Sequence, residues 1–358
     1  MLSTCTIFAP KKAKLGCASA IKKSKLFLYS SRLALTLPLK KRMYESLLRL
    51  DPVRINFSDN GSLILNIVLA FIMFGVALNI RPGQFKQLIF SPKPVILGVT
   101  LQFVLLPFVT FLLVLSLSRF ITPTIAMGMI LVAACPGGNI SNFMSSFSKG
   151  NTELSVILSA ISTGLAVFMT PLNFSFWGGL YMRFVSKRVE LLQPLEIEFM
   201  QMFQTVFIIL GIPVIIGMLC TYYLPKLAVR LKKPLQYLSL LFFVVLVGVM
   251  FASNWQLFVQ YIYFIFILVF VHNLVALSTG YGVATLFKQP DRNRRTLTIE
   301  TGIQNSGLGL VLLFNPKIFP PDLAIGGMLF ITAWWGIWHI ISGLSLSSYW
   351  HRKALSER

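Results

Sequence analysis

Apolar runs of roughly 20 residues recur along most of this chain, separated by short breaks that carry charge or proline. That is the pattern of an all-α polytopic membrane protein. Nine candidate spans follow Gly61, at about 62–80, 94–118, 122–148, 152–178, 199–224, 235–253, 259–287, 296–314 and 322–349. With 56% apolar and only 12% charged residues in 358, an ordinary soluble chain is excluded. One integrated membrane domain over 61–350 is expected, with a short tail at 351–358.

Orientation follows from the cations in alternate connections, because cytoplasmic loops carry the excess. Fifteen Lys/Arg fall on one side, among them Arg81, Lys149, Lys226, Lys288, the residues at 292–295 read here as loop, and Arg352. Five fall on the other: Arg119, Arg183, Lys187, Arg188 and Lys317. The first side is therefore the cytoplasm and the C-terminus lies inside, most simply in the cell (inner) membrane. Of the net charge of +21, +9 lies in residues 1–60 and +12 in the rest, where this distribution already accounts for it, so no nucleic-acid partner is expected.

Residues 1–60 hold twelve Lys/Arg against Glu45, Asp51 and Asp59. Nine spans place this tail outside, where so many cations oppose translocation. It reads as an organellar transit peptide, as an ordinary tail, or as sequence upstream of a working start near Met43. A transit peptide would imply an organellar membrane. Cys5, Cys17, Cys135 and Cys220 have no paired spacing, which gives neither a disulfide framework nor a zinc site.

Two spans are interrupted. In 135–142, Pro136, Gly137 and Gly138 weaken helix geometry, and Asn139, Ser141 and Asn142 add neutral oxygens. Unwinding would free carbonyls for a cation; the alternative is a kink whose Ser and Asn bond back to the backbone. In 300–307, Glu300 is the one acid well inside any candidate span, followed by Gly302, Gln304, Asn305, Ser306 and Gly307. A carboxylate near mid-membrane costs about 2.5–3.5 kcal/mol and usually faces a polar interior. Neutral oxygens with one carboxylate suit a hard monovalent cation, whereas transition metals prefer His or Cys. The rivals are a proton-carrying Glu300, or a Glu300 paired with a nearby Arg.

The connection at 179–198 splits the spans four and five, with one broken span in each half. That is the sequence pointer to a transporter's central site and to an inverted repeat, about 61–198 and 199–350. Gln102 either completes an ion shell or bonds a neighbouring helix. Ser155 and Ser159 share a helix face. His339, after Trp334, Trp335 and Trp338, and His272, beside Asn273, read as structural when taken alone. No hydrolase motif, metalloprotease motif or Walker A loop is present, so the chain is not expected to be an enzyme, and ion-gradient coupling is favoured over ATP hydrolysis.

The stretch CPGGNISNFMSSFSKGNTELSV, the later ETGIQNSGL and the final WHIISG resemble, in order and spacing, motifs of the bile acid:sodium symporter family. The resemblance covers roughly 62–350. It implies core and panel domains built from inverted repeats, two crossing discontinuous helices, and the nine-helix arrangement that lacks the first helix. It further implies one sodium site of Ser141, Asn142, Ser155, Ser159 and Glu300. A second would use Gln102, Glu300 and Gln304 with the carbonyls of Thr301 and Ile303. Asn139, Asn305 and His339 would face a small organic anion. Ser159 stands where some members have threonine, and Ile340 where some bacterial members have asparagine. The expected partners are thus sodium as coupling ion, an organic anion and the bilayer, with no cofactor and no assigned oligomeric state. Proton coupling and a non-transporting sensor remain as rivals, with a membrane enzyme dependent on His339 behind them.

Overall fold

The computed structural model describes residues 39–53, parts of 67–78, and 92–138, 140–186, 199–253, 255–315, 317–320 and 323–355. Among these, every named element is a helix. In chain order they are α1 (Leu39–Leu48), α2 (Pro92–Leu117), α3 (Pro123–Ala134), α4 (Ile140–Phe147), α5 (Thr152–Ser186) and α6 (Phe199–Val206). They continue with α7 (Ile212–Tyr223), α8 (Pro225–Ser253), α9 (Trp255–Leu286), α10 (Asp291–Gly302), α11 (Ser306–Leu313) and α12 (Gly326–Arg352).

Helices α2, α5, α9 and α12 are long and apolar enough to cross a membrane, whereas α3 and α7 are apolar but shorter. The expected span at 62–80 lies largely outside the described residues; of the connection expected at 179–198, the first part to Ser186 continues α5 as helix, and 187–198 lies outside the described residues. Both interrupted spans are broken as expected, into α3 and α4 and into α10 and α11.

Two prolines that should disrupt spans are accommodated in the same way. Pro107 follows a π turn at Leu101–Leu105, and Pro213 follows a π turn at Phe207–Gly211. In the first, the amide of Leu106 reaches the carbonyl of Leu101; in the second, Ile212 reaches Phe207. The widened turn moves the carbonyl that the proline ring would strike and that its missing N–H cannot satisfy. The first π turn carries Gln102.

Three further features differ from the sequence reading. The basic stretch 225–234 is helical rather than a connection, because Pro225 stands at the first position of α8, where a missing N–H is harmless. Helix α10 begins at Asp291, five residues early, directly after Pro290 and with an acid in its first turn to complement the helix dipole. Arg292, Arg294 and Arg295 therefore lie on a helix, and Arg295 is buried.

The third difference lies before the first span. Leu47, Leu50 and Val53 are buried in the main apolar core. Buried Asp51 accepts hydrogen bonds from the Thr122 hydroxyl at 3.1 Å and from the Thr124 hydroxyl, while its own carbonyl accepts the Gly326 amide at 3.1 Å. Its charge thus sits beside the N-termini of α3 and α12, the end of a helix that favours an anion. Burial outweighs the two threonine bonds and pushes the Asp51 carboxyl up to about 6.

Around the interrupted spans the helices pack backbone to backbone. A Cβ on Gly128 of α3 would lie 2.8 Å from the Met328 Cα of α12. A Cβ on Gly280 of α9 would lie 2.9 Å from the Thr298 Cα of α10. Small residues at such contacts are how helices associate in lipid, where burial alone gives no preference for protein over hydrocarbon.

Candidate ion and substrate site

The two helix breaks meet. Helix α3 ends at Ala134, and Cys135 turns extended at φ −73°, ψ 155°. Helix α10 ends at Gly302, and Ile303 leaves it at φ −112°, ψ 87°. The two extended stretches pair antiparallel at Gly137 and Gln304. The Gly138 amide donates to the Ile303 carbonyl at 2.7 Å, and the Asn305 amide donates to the Pro136 carbonyl at 2.8 Å. Pro136 has no N–H, so its carbonyl is all it can contribute to this short ladder. Backbone groups freed by unwinding thus find partners without water, as the bilayer interior demands.

Glu300, two residues before the break, is buried and faces hydroxyls. Its Oε1 accepts from Ser141 at 2.6 Å and from Ser155, and its Oε2 from Ser159 at 3.4 Å. Asn142 Oδ1 accepts from Ser155 at 2.8 Å and from Ser159 at 3.2 Å. Three hydroxyl protons therefore serve five oxygen–oxygen contacts, leaving the cluster rich in lone pairs and short of positive charge. All five side chains expected at the first sodium site converge here, from α4, α5 and α10.

On the other side of Glu300, two amides show the same imbalance. Gln102 donates its Nε2 to the Glu300 carbonyl at 3.2 Å, and Gln304 donates its own to the Thr301 carbonyl at 2.8 Å. Both Oε1 atoms are buried without a hydrogen-bond partner. An acceptor left unsatisfied in the interior costs about 1–3 kcal/mol. Each is therefore an acceptor that a cation could satisfy, as the carbonyls of Thr301 and Ile303 could with their second lone pairs. Gly137 is what lets these groups meet: a Cβ there would collide with Gln102 Nε2 and lie 3.0 Å from Glu300 Oε2.

Of the three residues expected to face substrate, Asn139 lies outside the described residues. Asn305 is half-buried and caps α11, its Oδ1 accepting the Leu308 amide at 3.1 Å. That leaves its NH2 group as the part with hydrogens to offer a ligand. His339 is buried on α12, with Nδ1 unpartnered. One helical turn further on, a Cβ on Gly343 would lie 2.7 Å from the Ile303 side chain, which places His339 about a turn from the crossing. His272 meets the Thr110 hydroxyl at 2.9 Å and lies against the Trp335 ring, a packed polar contact between helices.

The alternative pairing of Glu300 with an arginine does not occur among the described residues. Arg295 instead bonds Asp291 at 2.8 Å, as Arg294 does at 2.7 Å. Sequence reasoning missed Arg295 because it was counted with a loop. It missed Asp51 because nothing in a basic tail marks one acid as buried. Pro290 directly before Asp291 was the available signal for the first; for the second there was none.

The sequence profile described as the "Sodium Bile acid symporter family" matches residues 66–261. Among curated relatives, the "Uncharacterized sodium-dependent transporter YocS" of Bacillus subtilis is 34% identical over 81% of this chain and 83% of its own length. The bovine "P3 protein" is 32% identical over 72% of this chain and 52% of its own length. Human "Sodium/bile acid cotransporter 4" is 29% identical over 80% of this chain and 64% of its own. The chain thus spans most of the bacterial relative but about half to two thirds of the mammalian ones. The bacterial and human relatives are named as transporters, not enzymes. On the profile match and the bacterial relative together, this integral membrane protein belongs to the sodium bile acid symporter family.

Proposed function

We propose that this chain is a sodium-coupled secondary active symporter that moves an organic anion by alternating access, in a nine-helix, inverted-repeat arrangement with its C-terminus in the cytoplasm. The observation that carries the reading is Glu300, shared between two oxygen clusters where two broken helices cross. Every donor in both clusters is oxygen, and one carboxylate supplies the formal charge. That balance suits a weakly held monovalent cation, since calcium and magnesium sites draw on more carboxylates. Asn305 supports an anionic cargo, because its free NH2 can donate at the N-terminus of α11, where the helix dipole is positive. The name of the human relative, a sodium/bile acid cotransporter, supports bile acids as one cargo class to test.

Two sodium ions with one monovalent anion carry one net charge inward, which is about 2.3 kcal/mol per 100 mV. Each tenfold sodium gradient adds roughly 1.4 kcal/mol per ion. The test is uptake of labelled bile acids and small carboxylates into proteoliposomes, with sodium or choline outside. Sodium-dependent, saturable uptake is expected. Uptake that persists in choline under a pH gradient would transfer the coupling role of Glu300 to a proton. Saturable binding without counterflow would identify a sensor.

A further inference from the structure

We propose that Arg295 is a positioning residue for ion coupling, acting as a clamp that holds α4 in register with α10 so that Ser141 and Asn142 stay aligned on Glu300. The proposal rests on the sodium-coupled reading above.

Helix α4 is eight residues long, and it carries Ser141 and Asn142 near the end that emerges from the crossing. A helix this short has little stability of its own. Its far end is held from three directions. Arg295 Nη1 donates to the Ser148 carbonyl, just past α4, at 2.9 Å and to the Trp350 carbonyl of α12 at 3.0 Å. Its Nη2 donates to the Ala354 carbonyl at 3.1 Å and pairs with Asp291. The guanidinium also lies over the Trp350 ring, 5.9 Å from its centroid. Two further side chains of α12 bond the same end of α4: Ser347 donates to the Met144 carbonyl at 3.1 Å, and His351 Nδ1 donates to the Phe147 carbonyl at 2.9 Å.

The geometry is that of two antiparallel struts pinned at both ends. Helix α4 runs away from the crossing and α10 runs toward it, so Ser141 meets Glu300 at one end while Ser148 meets Arg295 at the other. Arg295 and Glu300 are five residues apart on α10, about 7.5 Å along its axis. A slip or tilt of α4 at its far end is therefore passed on to Ser141 and Asn142. Ligating groups tolerate only about 0.5 Å of such displacement. A planar fork that reaches three carbonyls and a carboxylate at once is a task for arginine, since a lysine ammonium offers one point charge. Its position past the end of α4 also sets a cation at the negative pole of that helix.

The test is the sodium activation curve of uptake, with substrate KM at saturating sodium, for Arg295→Gln, Arg295→Lys and wild type in proteoliposomes. The expected result is a rise of about tenfold or more in the sodium concentration for half-maximal uptake, with substrate KM close to wild type and partial recovery by Lys. Ser347→Ala removes one tie with little risk to folding and is expected to raise the same concentration about two- to tenfold. It carries the test if the Arg295 variants do not fold. A sodium curve superimposable on wild type in the folded variants, or a rise in substrate KM with the sodium curve unchanged, overturns the clamp. Wild-type uptake that is indifferent to sodium overturns the transport reading itself and takes the clamp with it.

Discussion

The Gly138 amide and the Ile303 carbonyl are joined by a 2.7 Å hydrogen bond between residues that lie in different halves of the sequence. With its companion from Asn305 to Pro136, this bond fastens the two interrupted helices at the point where each has lost its own helical partners. The crossing brings Gly137 against Gln102 and Glu300, and so determines how closely the oxygen clusters can assemble.

Gly137→Ala tests that closeness. The added Cβ would overlap the Gln102 amide and press on Glu300 Oε2. Overpacking of this kind costs roughly 1–3 kcal/mol, so apparent sodium affinity in uptake assays is expected to fall about tenfold or more while surface expression is retained. An unchanged sodium curve would show that the crossing tolerates separation.

Ser155 and Ser159 each reach both Glu300 and Asn142, and Ser155 makes the shorter contacts. Ser155→Ala removes one ligating oxygen from the cluster, and about 1–3 kcal/mol of sodium-binding free energy is expected to be lost in sodium titrations of uptake. Ser159→Thr keeps the hydroxyl and is expected to stay near wild type.

Asn305 has two tasks that one pair of substitutions separates. Its Oδ1 caps α11, and its NH2 remains for the cargo. Asn305→Ala loses both, with about 1 kcal/mol of stability removed along with the cap. Asn305→Asp keeps the cap but replaces the donor with a negative charge. Thermal stability is expected to survive in the Asp variant while uptake of an organic anion collapses with little change in sodium affinity.

Asp51 makes the docking of residues 39–53 depend on pH. Its carboxyl lies at about 6 in the folded protein against an ordinary 3.8, so the folded state favours the protonated form. The resulting contribution to docking is complete below about 3.8 and is lost as pH rises through about 6. Hydrogen exchange at the Val53 and Gly326 amides, which donate to the carbonyls of Leu50 and Asp51, is expected to show stronger intrinsic protection at pH 5 than at pH 8. Asp51→Asn is expected to abolish the difference.

The broken helices were legible in the sequence because proline, paired glycines and a carboxylate inside apolar runs have few other uses. The convergence of Ser141, Asn142, Ser155 and Ser159 on Glu300 was anticipated from their motifs, and it needed the crossing to become a geometry. What stayed hidden depends on tertiary context. The π turn that carries Gln102 leaves no compositional mark beyond the proline that follows it. Arg295 resembled any loop cation until α10 was found to begin at Asp291. Asp51 counted as one charge among many until Thr122, Thr124 and Gly326 closed around it.

The most direct test of the account is sodium-dependent thermal stabilisation of purified protein, comparing wild type with Glu300→Gln. The first oxygen cluster gathers on that carboxylate, its Oε2 reaches the Gly137 contact with Gln102, and a ligand that binds the folded state alone raises its stability with concentration. Wild type is expected to gain stability as sodium replaces choline at constant ionic strength, and Glu300→Gln to remain folded but show no gain. An equal sodium-dependent shift in Glu300→Gln would contradict the account.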